Sequence, residues 1–185
     1  MTVQLFAANQ QLETVQAITA LDRFQAAAKR RLVQANVIAA SPDPGIQSIV
    51  IDRGSNDGLR VGQLVVTDNG YAVGKIISLH QVTSTVLLLT DRQAKLLARV
   101  QNKTQSAGIV RGERGLTLLM DFIPKNDPVA NAQTIVTSGS ESEIPPDILI
   151  GTILSVSTKA SELFQQAIIV PTAPLQRLRV VAAVI

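Results

Sequence analysis

The sequence predicts a mainly β protein, with one long N-terminal α-helix followed by two small, related β-barrels. Three observations carry that expectation. Apolar residues keep a helical spacing up to the proline-rich stretch at 41–45, then change to short runs alternating every second residue. Those runs come at regular short intervals with turn residues between them, the pattern of a barrel or sandwich. Finally, a segment recurs at a fixed offset. Asn56-Asp57 leads into GLRVGQLVVT, ending at Thr67; Asn126-Asp127 leads into PVANAQTIVT, ending at Thr137, 70 residues on in both cases. Gln63, Val66 and Thr67 are matched by Gln133, Val136 and Thr137, and Gly74-Lys75-Ile76 by Gly151-Thr152-Ile153 after a longer insert. Fixed-offset similarity marks a duplicated supersecondary unit. The expected division is a coiled-coil helix at 1–40, a first barrel region at 41–125 and a second at 126–185, with strands free to be exchanged between the barrels.

The helix is expected from residue 3 to about 37. Ala, Gln, Leu, Lys and Arg dominate there, and no Pro or Gly precedes Pro42. Leu5, Ala8, Leu12 and Val15 step by three and four residues, as the seam of a coiled coil does, and Ile18 and Leu21 prolong the stripe. A rod of this length spans about 50 Å, and one narrow apolar stripe along it needs a partner. A dimer with Leu5, Leu12, Val15, Ile18 and Leu21 at the seam is the expectation, and packing on the chain's own barrel is the alternative. Lys29-Arg30-Arg31 reads as solvated cations near the helix C-terminus.

The barrel signal is densest in IVIDRGSNDGLRVGQLVVTDNGYAVGKII, residues 49–77. Asn69-Gly70 between two β-branched runs predicts a hairpin with a type I′ turn. Gly54, Gly58 and Gly62 punctuate the loop ahead of it. With Gly74, and with Ser138, Gly139 and Gly151 in the second copy, these are the expected structural turn residues. Strands are expected at 47–52, 63–68, 71–78, 84–90, 96–101, 108–111, 116–122, 134–137, 149–156, 166–170 and 179–184.

Composition narrows the function. The chain has 185 residues, 46% of them hydrophobic. Even so, no run approaches the roughly 18 apolar residues that cross a bilayer, and no secretion signal opens the sequence. There are 17 basic and 14 acidic residues, for a net charge of +3. One Tyr, four Phe and no Trp leave little for the stacking platform a nucleic-acid-binding barrel requires. A single-stranded nucleic-acid-binding barrel is therefore held only as an alternative, beside a periplasmic transport adaptor. The absence of cysteine excludes disulfides and thiolate metal sites. His80 is the sole histidine, which excludes a histidine zinc cluster; no serine lies in a nucleophile elbow. No cofactor or metal and no catalytic residue is expected. A hydrolase with paired carboxylates is the remaining enzymatic alternative, although nothing singles out a pair.

Taken in order, the helix, the proline turn, IVIDRGSNDGLRVGQLVVTDNGYAVGKI, TSTVLLLTD, GIVRG, IVTSG and PPDILIGTI resemble the MreC family of rod shape-determining proteins. The most specific parts are Ile51-Asp52-Arg53-Gly54-Ser55 with Asp57-Gly58, and Thr137-Ser138-Gly139 with Ile150-Gly151. Gly45 replaces a usual aromatic, Asn131 and Gln133 a usual Gly-Asp, and Pro146-Asp147 a usual Pro-Lys-Gly. The resemblance implies a non-enzymatic scaffold of the bacterial cell-elongation machinery. Its barrels would lie on the extracytoplasmic, periplasmic face of the inner membrane, anchored by an N-terminal transmembrane helix absent from this sequence. It further implies a homodimer or higher assembly that meets a class B penicillin-binding transpeptidase, RodA and MreD, and through them MreB, with no nucleic-acid partner. Open strand edges are one expected route to such contacts.

Overall fold

The computed structural model describes residues 31–41, 43, 45–113, 116–158 and 162–185. Twelve strands follow one another: β1 (Leu32–Ala40), β2 (Ser48–Ile51), β3 (Leu64–Thr67), β4 (Ala72–Leu79), β5 (Ser84–Leu88), β6 (Lys95–Val100), β7 (Ala107–Glu113), β8 (Thr117–Pro124), β9 (Thr134–Thr137), β10 (Leu149–Thr158), β11 (Phe164–Pro171) and β12 (Val180–Val184). They form two closed six-stranded barrels in which every neighbouring pair is antiparallel.

The two barrels share one path. Around the first the order is β12, β1, β2, β5, β4, β3; around the second it is β6, β7, β8, β11, β10, β9. They differ in where the strand at the first place comes from. In the second barrel it is β6, the start of a contiguous segment. In the first it is β12, returned from the far end of the chain. The sequence repeat falls on equivalent strands, β3–β4 and β9–β10, and its matched residues do matched work. Gln63 accepts a hydrogen bond from the Arg60 N–H at 2.8 Å, and Gln133 one from the Ala130 N–H at 3.0 Å. Thr67 Oγ1 accepts from the Tyr71 N–H at 3.1 Å, and Thr137 Oγ1 from the Ile148 N–H at 2.9 Å.

Three expectations need correction. Residues 32–40 are not the end of a helix. They form β1, held by β12 from Leu32↔Val184 to Asn36↔Val180 and by β2 from Val37↔Ile51. Val33, Ala35 and Val37 point alternately into the first barrel, so tertiary pairing overrides the helix-forming composition. The coiled-coil helix and its seam residues Leu5, Leu12, Val15, Ile18 and Leu21 lie outside the described residues. The barrel limits move as well. The first barrel is built from 32–88 plus 180–184, and the second begins at Lys95 rather than at 126. Residue 126 opens only the repeated hairpin of the second barrel. Lastly, closure leaves neither sheet an open edge among the described strands, which removes edge pairing as a docking route.

Two apolar clusters fill the molecule. Ile49, Ile51, Val65, Val73, Ile76, Val86 and Val181 make the interior of the first barrel. The larger cluster joins the second barrel's interior, including Leu96, Leu118, Met120, Ile123 and Ile169, to residues on the outside of the first: Leu64, Val66, Ala72, Ala182 and Val184. All four residues of β3 are therefore buried. Its uninterrupted LVVT is the signature of a strand covered on both faces.

Candidate interaction surface

The segment between the barrels is short and pinned. Thr90 and Asp91 are buried. The Asp91 carboxylate accepts hydrogen bonds from the Gln47 N–H at 2.7 Å and the Gln93 N–H at 2.7 Å. Gly112 lies against this turn so closely that a Cβ there would sit 2.1 Å from the Thr90 carbonyl oxygen.

The turn residues divide by cause. Gly58, Gly62, Gly70 and Gly139 have positive φ; Gly54, which precedes the short helical turn at Ser55–Asp57, is extended. Ser138 carries the side chain that accepts from the Ser140 N–H at 3.2 Å. Two of the expected turn residues are not in turns. Gly74 and Gly151 lie within β4 and β10, where a Cβ would meet the Leu87 and Val170 carbonyl oxygens at 2.1 and 2.3 Å. The hairpin at Asn69-Gly70 is also not type I′. Asn69 lacks positive φ, Gly70 has φ 78°, and the Gly70 N–H donates to the Thr67 carbonyl. Asp68-Asn69 therefore make the turn and Gly70 the left-handed residue after it, the common three-residue alternative.

Asp52, Asp91, Asp121 and Glu141 each hold their own hydrogen-bond donors instead of sharing one site. Asp52 accepts from the Asn36 backbone N–H at 2.6 Å and its Nδ2 at 2.8 Å. Burial opposes its ionisation, yet these bonds and the Arg53 charge outweigh it and hold the carboxyl below the ordinary aspartate value. Among the described residues no three His, Cys, Asp or Glu side chains come together as a metal site. His80 is exposed in the β4–β5 turn. At the barrel junction lies a cleft of about 500 Å³ lined by Arg31, Arg60, Gln63, Glu143 and Pro145 among others.

The unusual surface is the outside of the second barrel. Along β11, Gln165, Ala167 and Ile169 point inward, leaving Phe164, Gln166, Ile168 and Val170 outside. On β8, Met120 and Ile123 are both buried although they are three residues apart. The two residues between them, Asp121 and Phe122, oppose the single Gln166, because the register slips between Gln165 and Ala167. That β-bulge gives Phe122 a φ of 63° and turns its ring to solvent. Phe122 is 57% and Phe164 44% exposed, with ring centroids 5.8 Å apart and planes at 71°. Leu163, 82% exposed, stands beside them, and Leu154, Ile168 and Val170 extend the apolar face. The polar groups alongside are already paired. Asp121 accepts from Arg111 Nε at 2.7 Å and from Gln166 Nε2 at 2.6 Å, and the Arg111 pKa is raised chiefly by that bond to Asp121. An apolar centre with a paired polar rim is how protein interfaces are built.

Sequence reasoning missed this face because its organiser is a bulge. The only signal was that two of the four phenylalanines lie outside the interiors of the expected strands, Phe122 at the end of 116–122 and Phe164 two residues before 166–170. Among the described residues no helix is long and apolar enough to cross a membrane.

Comparison with known proteins places this architecture. Residues 37–185 match the family described as rod shape-determining protein MreC, barrel core. The cell shape-determining protein MreC of Listeria monocytogenes is 34% identical over 147 residues, covering 77% of this chain and 50% of that protein. The chain spans about a third to just over half the length of the curated relatives it matches. A solved structure named MreC superposes with a TM-score of 0.84 at 26% identity, covering 95% of this chain and 99% of that one. A complex between penicillin-binding protein PBP2 and MreC from Helicobacter pylori contains the same fold, with a TM-score of 0.65 at 15% identity over 83% of this chain and 99% of that one.

Proposed function

That the chain belongs to the MreC family of rod shape-determining proteins is the premise from which we propose its function. It is a non-enzymatic scaffold that maintains cell shape by holding peptidoglycan synthases in the cell-elongation machinery. The barrels work on the extracytoplasmic face of the bacterial inner membrane, tethered by an N-terminal membrane anchor. The segment before β1 pairs two chains, with Leu5, Leu12, Val15, Ile18 and Leu21 at the seam. The direct partner is a class B penicillin-binding transpeptidase, and RodA, MreD and indirectly MreB complete the assembly.

One observation carries this reading. The second barrel presents the Phe122–Phe164 face to solvent, while the Asp121 carboxylate beside it is held by Arg111 and Gln166. A scaffold needs such a surface and no reactive pocket. The fold also recurs in a relative named as a complex with a penicillin-binding protein, which supports a partner of that kind. The test is replacement of both rings, F122S with F164S, in the full-length protein in cells lacking any other copy. The reading expects cells that lose their rod shape at unchanged protein level. Normal rods would overturn it.

A further inference from the structure

The repeated hairpins differ in one respect. Thr67 is joined to Ala72 by four residues, whereas Thr137 is joined to Leu149 by eleven. The extra residues do not hang in solvent. The Ser138 N–H donates to the Leu97 carbonyl at 3.0 Å. Thr137 Oγ1 donates to the Pro145 carbonyl at 2.6 Å, and a Cβ on Gly139 would meet Pro146 at 2.7 Å. Asp147 pairs with Arg99 on β6. The loop is thus fastened to its own barrel at both ends.

From that base it reaches across. Glu141 Oε2 accepts from Lys75 Nζ at 2.7 Å, and Lys75 belongs to β4 of the first barrel. Its other oxygen accepts from the Leu97 N–H of β6 in the second barrel at 2.9 Å. One carboxylate therefore ties both barrels together. Beside it Ile144 and Ile148 are buried in the cluster that holds Leu64, Val66 and Ala182 of the first barrel's outer wall. An isolated surface ion pair would hold little. This one is only 23% and 28% exposed on its two sides, has a second acceptor bond and backs onto apolar packing.

We propose that the loop 138–148 is a clamp that fixes the angle between the two barrels, with Glu141 as its cross-link. The shorter hairpin of the first copy closes the same kind of barrel without it, so barrel closure does not require the extra length. The clamp makes faces on the two barrels parts of one rigid surface.

The chain has no cysteine, so a spin-label pair can be placed without background. Exposed Val82 on the first barrel and exposed Lys103 on the second are replaced by cysteine and labelled, and their separation is read by pulsed electron resonance. The unaltered loop should give one narrow distance. E141A should widen and shift the distribution while circular dichroism stays unchanged. Replacing 138–148 by Asp68-Asn69-Gly70-Tyr71 should widen it further. An E141A distribution that superimposes on the parent overturns the assignment to Glu141. If the loop replacement fails to fold, E141A, a single change at a partly exposed side chain, still decides the matter.

Discussion

Phe122 offers a substitution pair whose order of stability is the reverse of the usual one. In an ordinary strand, glycine is less stable than alanine by about 0.5–1 kcal/mol, because glycine loses more chain entropy on folding. Phe122 sits at φ 63°, where an L side chain costs roughly 1–2 kcal/mol. F122A removes the ring and keeps that cost. The ring is 57% exposed, so less than half of the roughly 2 kcal/mol for burying a phenylalanine is lost, about 0.9 kcal/mol. Loss of the edge-on contact with Phe164 adds about 0.5 kcal/mol. F122A should therefore destabilise by about 1.5 kcal/mol. F122G loses the same contacts but recovers the left-handed cost, less the glycine entropy penalty. It should be more stable than F122A by about 0.5–1 kcal/mol. Equilibrium urea unfolding at constant m-value reads the difference. F122A equal to or more stable than F122G would show that the bulge does not hold the residue at positive φ. The strain would then not be stored at the interaction face.

Further expectations concern the parts that set the barrels. T137V should lose about 1–3 kcal/mol in urea unfolding, since the buried hydroxyl both donates to the Pro145 carbonyl and accepts from the Ile148 N–H. G151A should cost at least about 1–3 kcal/mol, because its Cβ would press on the Val170 carbonyl 2.3 Å away. A melting temperature unchanged in G151A would contradict that packing. Asp52 has a folded pKa below its unfolded value. Its contribution is therefore fully present above the ordinary aspartate range and is lost as pH falls through the depressed value. D52N should flatten that part of a melting-temperature profile taken from pH 6 to pH 3. Deleting 180–185 should unfold the first barrel, 113 or more residues away in sequence from β3, and leave 95–171 protected in hydrogen exchange; equal loss of protection in both barrels would refute their separate closure.

Much of the β architecture was legible because its causes are local. Alternating apolar residues and glycine-bearing turns mark eleven segments, and each overlaps one strand of the structure, from β2 through β12, with ends that differ by up to two residues. The repeat was legible because Gln63 and Gln133, and Thr67 and Thr137, accept backbone N–H groups at equivalent places. β1 was not legible. LVQANVIAA is made largely of helix-tolerant residues with no breaker before Pro42, and what makes it a strand is β12, whose pairing partners lie some 150 residues on. The repeat predicts a boundary at 126, whereas the repeated unit is only one hairpin of each barrel, β3–β4 or β9–β10. Spatial order around a barrel leaves no mark on any single stretch of chain. The Phe122–Phe164 face escaped for a related reason: a one-residue bulge cannot be told from regular alternation until the partner strand fixes the register.

The most direct test of the scaffold account is calorimetric titration of this chain with the soluble extracytoplasmic domain of the class B penicillin-binding transpeptidase from the same bacterium. The account predicts saturable binding by the parent chain and a loss of at least about tenfold, or about 1.4 kcal/mol, in F164S at unchanged fold. Affinity equal in parent and F164S would contradict the assignment of the partner to the second barrel's aromatic face, and no binding by the parent chain would contradict the partnership itself.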